Sequence, residues 1–248
     1  MGSGWGAKAL AVAIHPGLPP FFHSPLLKAW ADKLMEEGNG PAIAELVAQV
    51  VEGCPLLELV ALIAKNNEAS EPLIAVAHRI ATVPASRGAL LAAGLPATLI
   101  ALIASEAPPS QRPALNHPAT PRALALLREI LRGPEAAGTA GVVIAAGGVA
   151  ALAATMPAGG AGGANAAECL LEITKLDAHG ASAVAAGAVP ALLEAVRRGE
   201  KESGKVAIAA RTLLLLRGTQ SSVLSEVAAA GLDKAALERL AGFPPSPV

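Results

Sequence analysis

The chain has 248 residues, a formal charge of −1, 53% hydrophobic residues, no Tyr, three Phe, 25 Gly and 20 Pro. Its 19 basic residues are spread evenly, eight before position 125 and eleven after, which leaves no footprint for a phosphate backbone or an acidic membrane surface. Alanine supplies much of the apolar content, and a residue that buries so little area favours helices in close contact.

Residues 1–24 read as an extended arm, because Pro16, Pro19 and Pro20 prevent helix while Trp5, Phe21 and Phe22 offer anchors. The apolar run Ala9–Ile14 is too short for a secretory h-region, and Gly6 stands where a myristoylation signal needs Ser or Thr. Residues 25–52 form an N-terminal cap. Pro25 opens a helix to about Glu37 with Leu27, Trp30, Ala31 and Leu34 on one face, and Pro41 opens another to about Glu52. A corner then recurs at Gly53-Cys54-Pro55, Gly94-Leu95-Pro96, Gly147-Gly148-Val149, Gly187-Ala188-Val189-Pro190 and Gly231-Leu232-Asp233. Gly takes the left-handed backbone that the residue after a helix needs, and Pro suits a first helical turn.

Successive corner glycines are 41, 53, 40 and 44 residues apart. The long interval contains Ser105–Pro121, a stretch with five prolines that reads as an insertion over 105–121. After each corner the pattern predicts a second helix (Leu56–Ala64, Ala97–Ala104, Ala150–Thr155, Ala191–Arg198) and then a third (Glu71–Thr82, Arg122–Leu131, Ala164–Thr174, Lys205–Leu216). Short first helices such as Arg87–Ala93 and Ser182–Ala186 lead into the next corner, and residues 243–248 form a tail. Each helix alone is too short to persist in water, so stacking is obligatory.

This order of helix, Gly corner, helix, loop and helix, clearest over Gly187–Leu193, resembles the armadillo repeat. The resemblance implies an all-α, right-handed superhelical solenoid of about four to five repeats over residues 25–242. It also implies a non-catalytic scaffold or adaptor that holds another protein or peptide, alone or within a large complex, in a groove lined by third helices or on the Pro-rich insertion. In the family's nuclear-import adaptors a Trp and, four residues later, an Asn hold a basic peptide in that groove. Here Ala75, Ala125, Glu168 and Arg211 stand at the Trp position and Arg79, Glu129, Glu172 and Leu215 at the Asn position. Import-signal binding is therefore not expected. The candidate groove residues are Arg79, Glu129, Glu168, Glu172 and Arg211, and their charges serve either a mixed-charge partner or the solvated face of amphipathic helices. The alternative function is a stoichiometric structural subunit of a large assembly such as a ciliary axoneme.

Competing chemistries find little support. The uncharged stretches Gly88–Ser105 and Ala136–Ala167 have the length of a membrane span, but Gly94-Leu95-Pro96, Gly147-Gly148 and Met156-Pro157 break them. The run Pro157–Gly163 lacks the Lys-Ser or Lys-Thr and the spacing of a phosphate loop and reads as a flexible connector. No two of the five histidines have metal-ligand spacing within a helix, so no metal or other cofactor is expected. Asp177, His179 and Ser182 include all three triad residue types, yet no GxSxG elbow accompanies them, and Ser182 suits an N-cap. Arg197, Arg198, Lys201, Lys205, Arg211 and Arg217 are interleaved with Glu194, Glu200 and Glu202, without aromatics for base stacking, and read as a solvated surface. Cys54 and Cys169 read as buried reduced thiols, which fits a cytoplasmic setting, cytoskeletal or ciliary in the alternative.

Overall fold

A computed structural model describes residues 56–65, 70–105, 119–156, 160–198 and 203–242, and among these every regular element is an α-helix. The arm 1–24, the cap 25–52, the Gly53 corner, the tail 243–248 and residues 106–118 of the insertion lie outside the described residues. The chain forms two compact units, one ending at Leu102 and taking in His117–Ile130, the other holding the remainder.

The first unit contains α1 (Leu56–Ala64), α2 (Ser70–Ala81), α3 (Pro84–Ala92), most of α4 (Leu95–Ser105) and α5 (Ala119–Leu131). Apolar residues recur one helical turn apart and point to one core: Leu59 and Ile63 of α1, Leu73, Ile74 and Ile80 of α2, and Leu90 of α3 are all fully buried. Burying each such side chain contributes roughly 1.5–3 kcal/mol. Pro84 occupies the first turn of α3, where a missing N–H breaks no helical bond. Helix α5 begins at Ala119, so the last three residues of the expected insertion are helical.

The second unit shows the repeat in full. It holds α6 (Ala136–Ala145), α7 (Gly148–Thr155), α8 (Gly160–Thr174), α9 (Asp177–Ala185), α10 (Ala188–Arg198), α11 (Ser203–Thr219), α12 (Ser221–Ala229) and α13 (Lys234–Leu240). First helix packs on first helix (α6 on α9), second on second (α7 on α10), and third on third (α8 on α11). Within a repeat, α7 lies on α8 and α10 on α11. The third-helix seam is made of small and medium side chains, Ala166, Ala167, Cys169, Leu170 and Ile173 against Ala209, Ala210, Leu213 and Leu216, all fully buried.

The corners are as expected at the four described glycines. Gly94, Gly147, Gly187 and Gly231 have φ of 74 to 85°, a region that costs an L side chain roughly 1–2 kcal/mol. The chain bends by 60° at Gly94, 84° at Gly147 and 75° at Gly187. Among the described residues no single helix is long and apolar enough to cross a membrane.

Two local expectations are corrected. Ser182 lies inside α9, whose N-cap is Leu176 in an extended conformation. The glycine run is a helix start, not a flexible connector: Gly160–Gly163 form the first turn of α8. The reason is close approach, since a Cβ on Gly163 would stand 2.6 Å from the Met156 carbonyl oxygen. The same carbonyl accepts a hydrogen bond from the buried Lys205 Nζ at 3.3 Å. Arg87 Nε donates to the Ala81 carbonyl at 2.9 Å and Arg211 Nε to the Ala241 carbonyl at 3.0 Å. Three cations thus satisfy carbonyls at helix C-termini, where the helix dipole favours positive charge.

Two of the glycines of this turn should respond in opposite senses. Gly163→Ala must displace backbone and is expected to lose about 1–3 kcal/mol in chemical denaturation. Gly162→Ala, with no atom within 4 Å of the added Cβ, should be neutral or gain up to about 1 kcal/mol.

Candidate functional site

The third helices carry the charged positions singled out in the sequence. In the first unit these are Arg79 on α2 and Glu129 on α5; in the second they are Glu168 and Glu172 on α8 and Arg211 on α11. Their settings differ. Arg79 is buried at 9% exposure, and Glu129 is half-buried beside His78. Glu168 and Glu172, one helical turn apart, are drawn together by one guanidinium: Arg132 Nη2 donates to Glu168 Oε2 at 3.0 Å and Arg132 Nε to Glu172 Oε1 at 3.1 Å. Lys175 Nζ adds bonds to both oxygens of Glu172 at 3.0 and 2.9 Å. Arg211 is exposed, but its Nε is occupied by the Ala241 carbonyl. These charges are held in place by the chain itself, and side chains fixed in this way lose little rotamer entropy when a partner arrives.

In the first unit α2 and α5 present a ladder. Arg122 Nε donates to Glu71 Oε1 at 2.9 Å, and seven residues along each helix His78 meets the field of Glu129. Burial holds the His78 imidazole below its ordinary value; Glu129 acts in the opposite sense, while Arg128, Arg79 and Arg122 add to the depression. Ala75, buried, and Ala125, half-buried, occupy the turns between the rungs.

Asp177, His179 and Ser182 all lie on α9. His179 Nε2 lies 3.1 Å from the Ala137 carbonyl, an oxygen that only accepts, so Nε2 carries the proton and the ring ties α9 to α6. Ser182 is exposed on α9. Among the described residues no three His, Cys, Asp or Glu side chains gather to hold a metal ion. Cys169 is a fully buried thiol, and Cys54 lies outside the described residues. In the basic cluster, Lys205 is buried under the end of α7, which removes it from the surface.

No family model and no curated protein matches the sequence. Solved structures do. A designed armadillo repeat protein superposes with a TM-score of 0.72 over 98% of this chain and 93% of its own, at 17% identity. The fold is armadillo-like. An engineered protein from the Northeast Structural Genomics Consortium gives a TM-score of 0.71 at 19% identity, covering 97% of this chain and 93% of its own. A longer engineered protein from the same source gives 0.73 at 19% identity, with 96% of this chain matched to 56% of that one. Identities this low establish the armadillo-like fold and leave partner and role to the residues.

Sequence reading missed the groups that hold the groove charges. Arg132 follows α5 and has no periodic signal of its own, yet Glu172 lies 40 residues away, one repeat length. The ladder was visible as two i, i+7 pairs, Glu71 with His78 and Arg122 with Glu129. The depressed His78 value has a measurable consequence. Above the ordinary value of 6.5 the ring is neutral in both states and costs nothing; as pH falls through it, the unfolded chain takes up the proton first and stability declines. Between about pH 7 and about pH 5.5, His78→Gln should therefore lose less stability than the parent in parallel denaturant titrations.

Proposed function

We propose that this chain is a non-catalytic scaffold that holds a segment of another protein along its third-helix faces, in the cytoplasm. The observation that carries this reading is the charged row on α8, where Glu168 and Glu172 are fixed by Arg132 and Lys175 on a helix whose opposite face is buried. A row of fixed, half-exposed charges over a rigid seam suits recognition of an extended partner, because the receptor side is ordered before binding. The armadillo-like fold supports the same reading, since such repeats present long faces for partner chains. His179 contributes by bonding two repeats together, a structural role that needs no substrate.

Crosslinking mass spectrometry in native extract tests the proposal. Crosslinks from a partner should concentrate at third-helix positions such as Lys175, and Glu172→Lys should weaken capture of that partner about tenfold with the helical signal unchanged. Crosslinks confined to first helices such as α6 and α9, surviving high salt, would instead favour a structural subunit of a large assembly.

A further inference from the structure

The last helix departs from the stacking pattern of the second unit. There second helix packs on second helix, α7 on α10, whereas α13 packs on the third helix α11 and makes no comparable contact with α10. It is also thinly anchored. Of its seven residues only Leu237 is buried, while α10 buries Ala188, Val189, Leu192, Leu193 and Ala195. Just past α13 the Ala241 carbonyl accepts a hydrogen bond from Arg211 Nε at 3.0 Å, and Arg211 is one of the candidate groove residues. Leu215, one turn along α11 from Arg211, and Leu240, beside Ala241, flank that bond, each 39% exposed. The chain's own α13 thus covers the end of the third-helix face.

We propose that α13 is a strap that shuts this last position and opens as one unit while α11 and α12 stay folded. Its role rests on the scaffold reading, which makes the third-helix face the partner's side. The pivot is short. Gly231 N donates to Ala228 O at 2.9 Å and Leu232 N to Val227 O at 3.1 Å, which finishes α12, and the extended Asp233 starts α13 by accepting from the Ala236 N–H at 2.6 Å. Seven residues lifted from α11 cannot keep helical form in water, so opening exposes the amides of α13 together and breaks the Arg211 bond. A segment with so little buried surface opens well before the whole fold does. A partner that needs Arg211 or Leu215 therefore competes with α13 alone.

Residue-resolved amide exchange on the full chain tests the strap. The amides from Leu237, bonded to Asp233 O, to Ala241, bonded to Leu237 O, should share one protection, at least about a hundredfold below that of α11. Arg211→Gln should speed their exchange about tenfold, and Asp233→Ala, which removes the cap, about fivefold, with α8 unchanged in both. A merely frayed end behaves differently: its protection climbs residue by residue toward Lys234, and it ignores Arg211. Such a gradient, α13 amides as slow as those of α11, or indifference to Arg211→Gln would each overturn the strap. None of these outcomes touches the scaffold reading, which stands on partner crosslinks at Lys175. Crosslinks away from every third helix would retire both, since the strap would then close nothing.

Discussion

Helices as short as α3, α12 and α13 leave a large share of their backbone groups without intrahelical partners and would not persist alone in water. What holds such helices is packing on their neighbours: α3 on α2, α12 and α13 on α11, and, from repeat to repeat in the second unit, like on like, α6 on α9, α7 on α10, α8 on α11. Such contact requires close approach, and this composition provides it. Alanine at positions Ala166, Ala167, Ala209 and Ala210 brings the third helices together, while Leu170, Ile173, Leu213 and Leu216 supply the buried area. With three Phe and no Tyr in the whole chain, aromatic side chains cannot fill gaps, so the helices must approach.

Close approach creates a second demand, the satisfaction of helix ends buried at the seams. The chain meets it with cations. Arg87, Lys205 and Arg211 reach the carbonyls of Ala81, Met156 and Ala241, and the buried Thr155, Thr174 and Thr212 hydroxyls turn back on carbonyls three or four residues earlier. Two of these cations belong to the cluster that the sequence presents as one basic surface. Charge density along a chain and charge exposed on its surface are different quantities, because a long aliphatic stem can carry the head to a carbonyl on another helix.

The same separation applies to the third-helix charges. Glu168 and Glu172 stand on the predicted face, and the ladder of Glu71, Arg122, His78 and Glu129 follows from helical spacing. Their energetic character was set by residues one repeat away. Arg132 turns two adjacent carboxylates, which would repel one another, into a fixed pair. His179 likewise ties α9 to the Ala137 carbonyl of α6, one repeat earlier.

The sequence by itself determined the helical class, the corner glycines, the second helix Leu56–Ala64 to the residue, and the row of third helices, because these rest on local rules: left-handed backbone at Gly, Pro in a first turn, apolar residues at helical spacing. Tertiary structure alone decided the start of α8 within the glycine run, the burial of Lys205 and Arg79, and the partners of Glu168, Glu172 and Arg211. Gly160–Gly163 reads as a connector on any local scale, and only the proximity of the Met156 carbonyl shows why Gly163 has no side chain. Contacts between residues some forty positions apart depend on how repeats stack, and no short window of sequence contains that geometry.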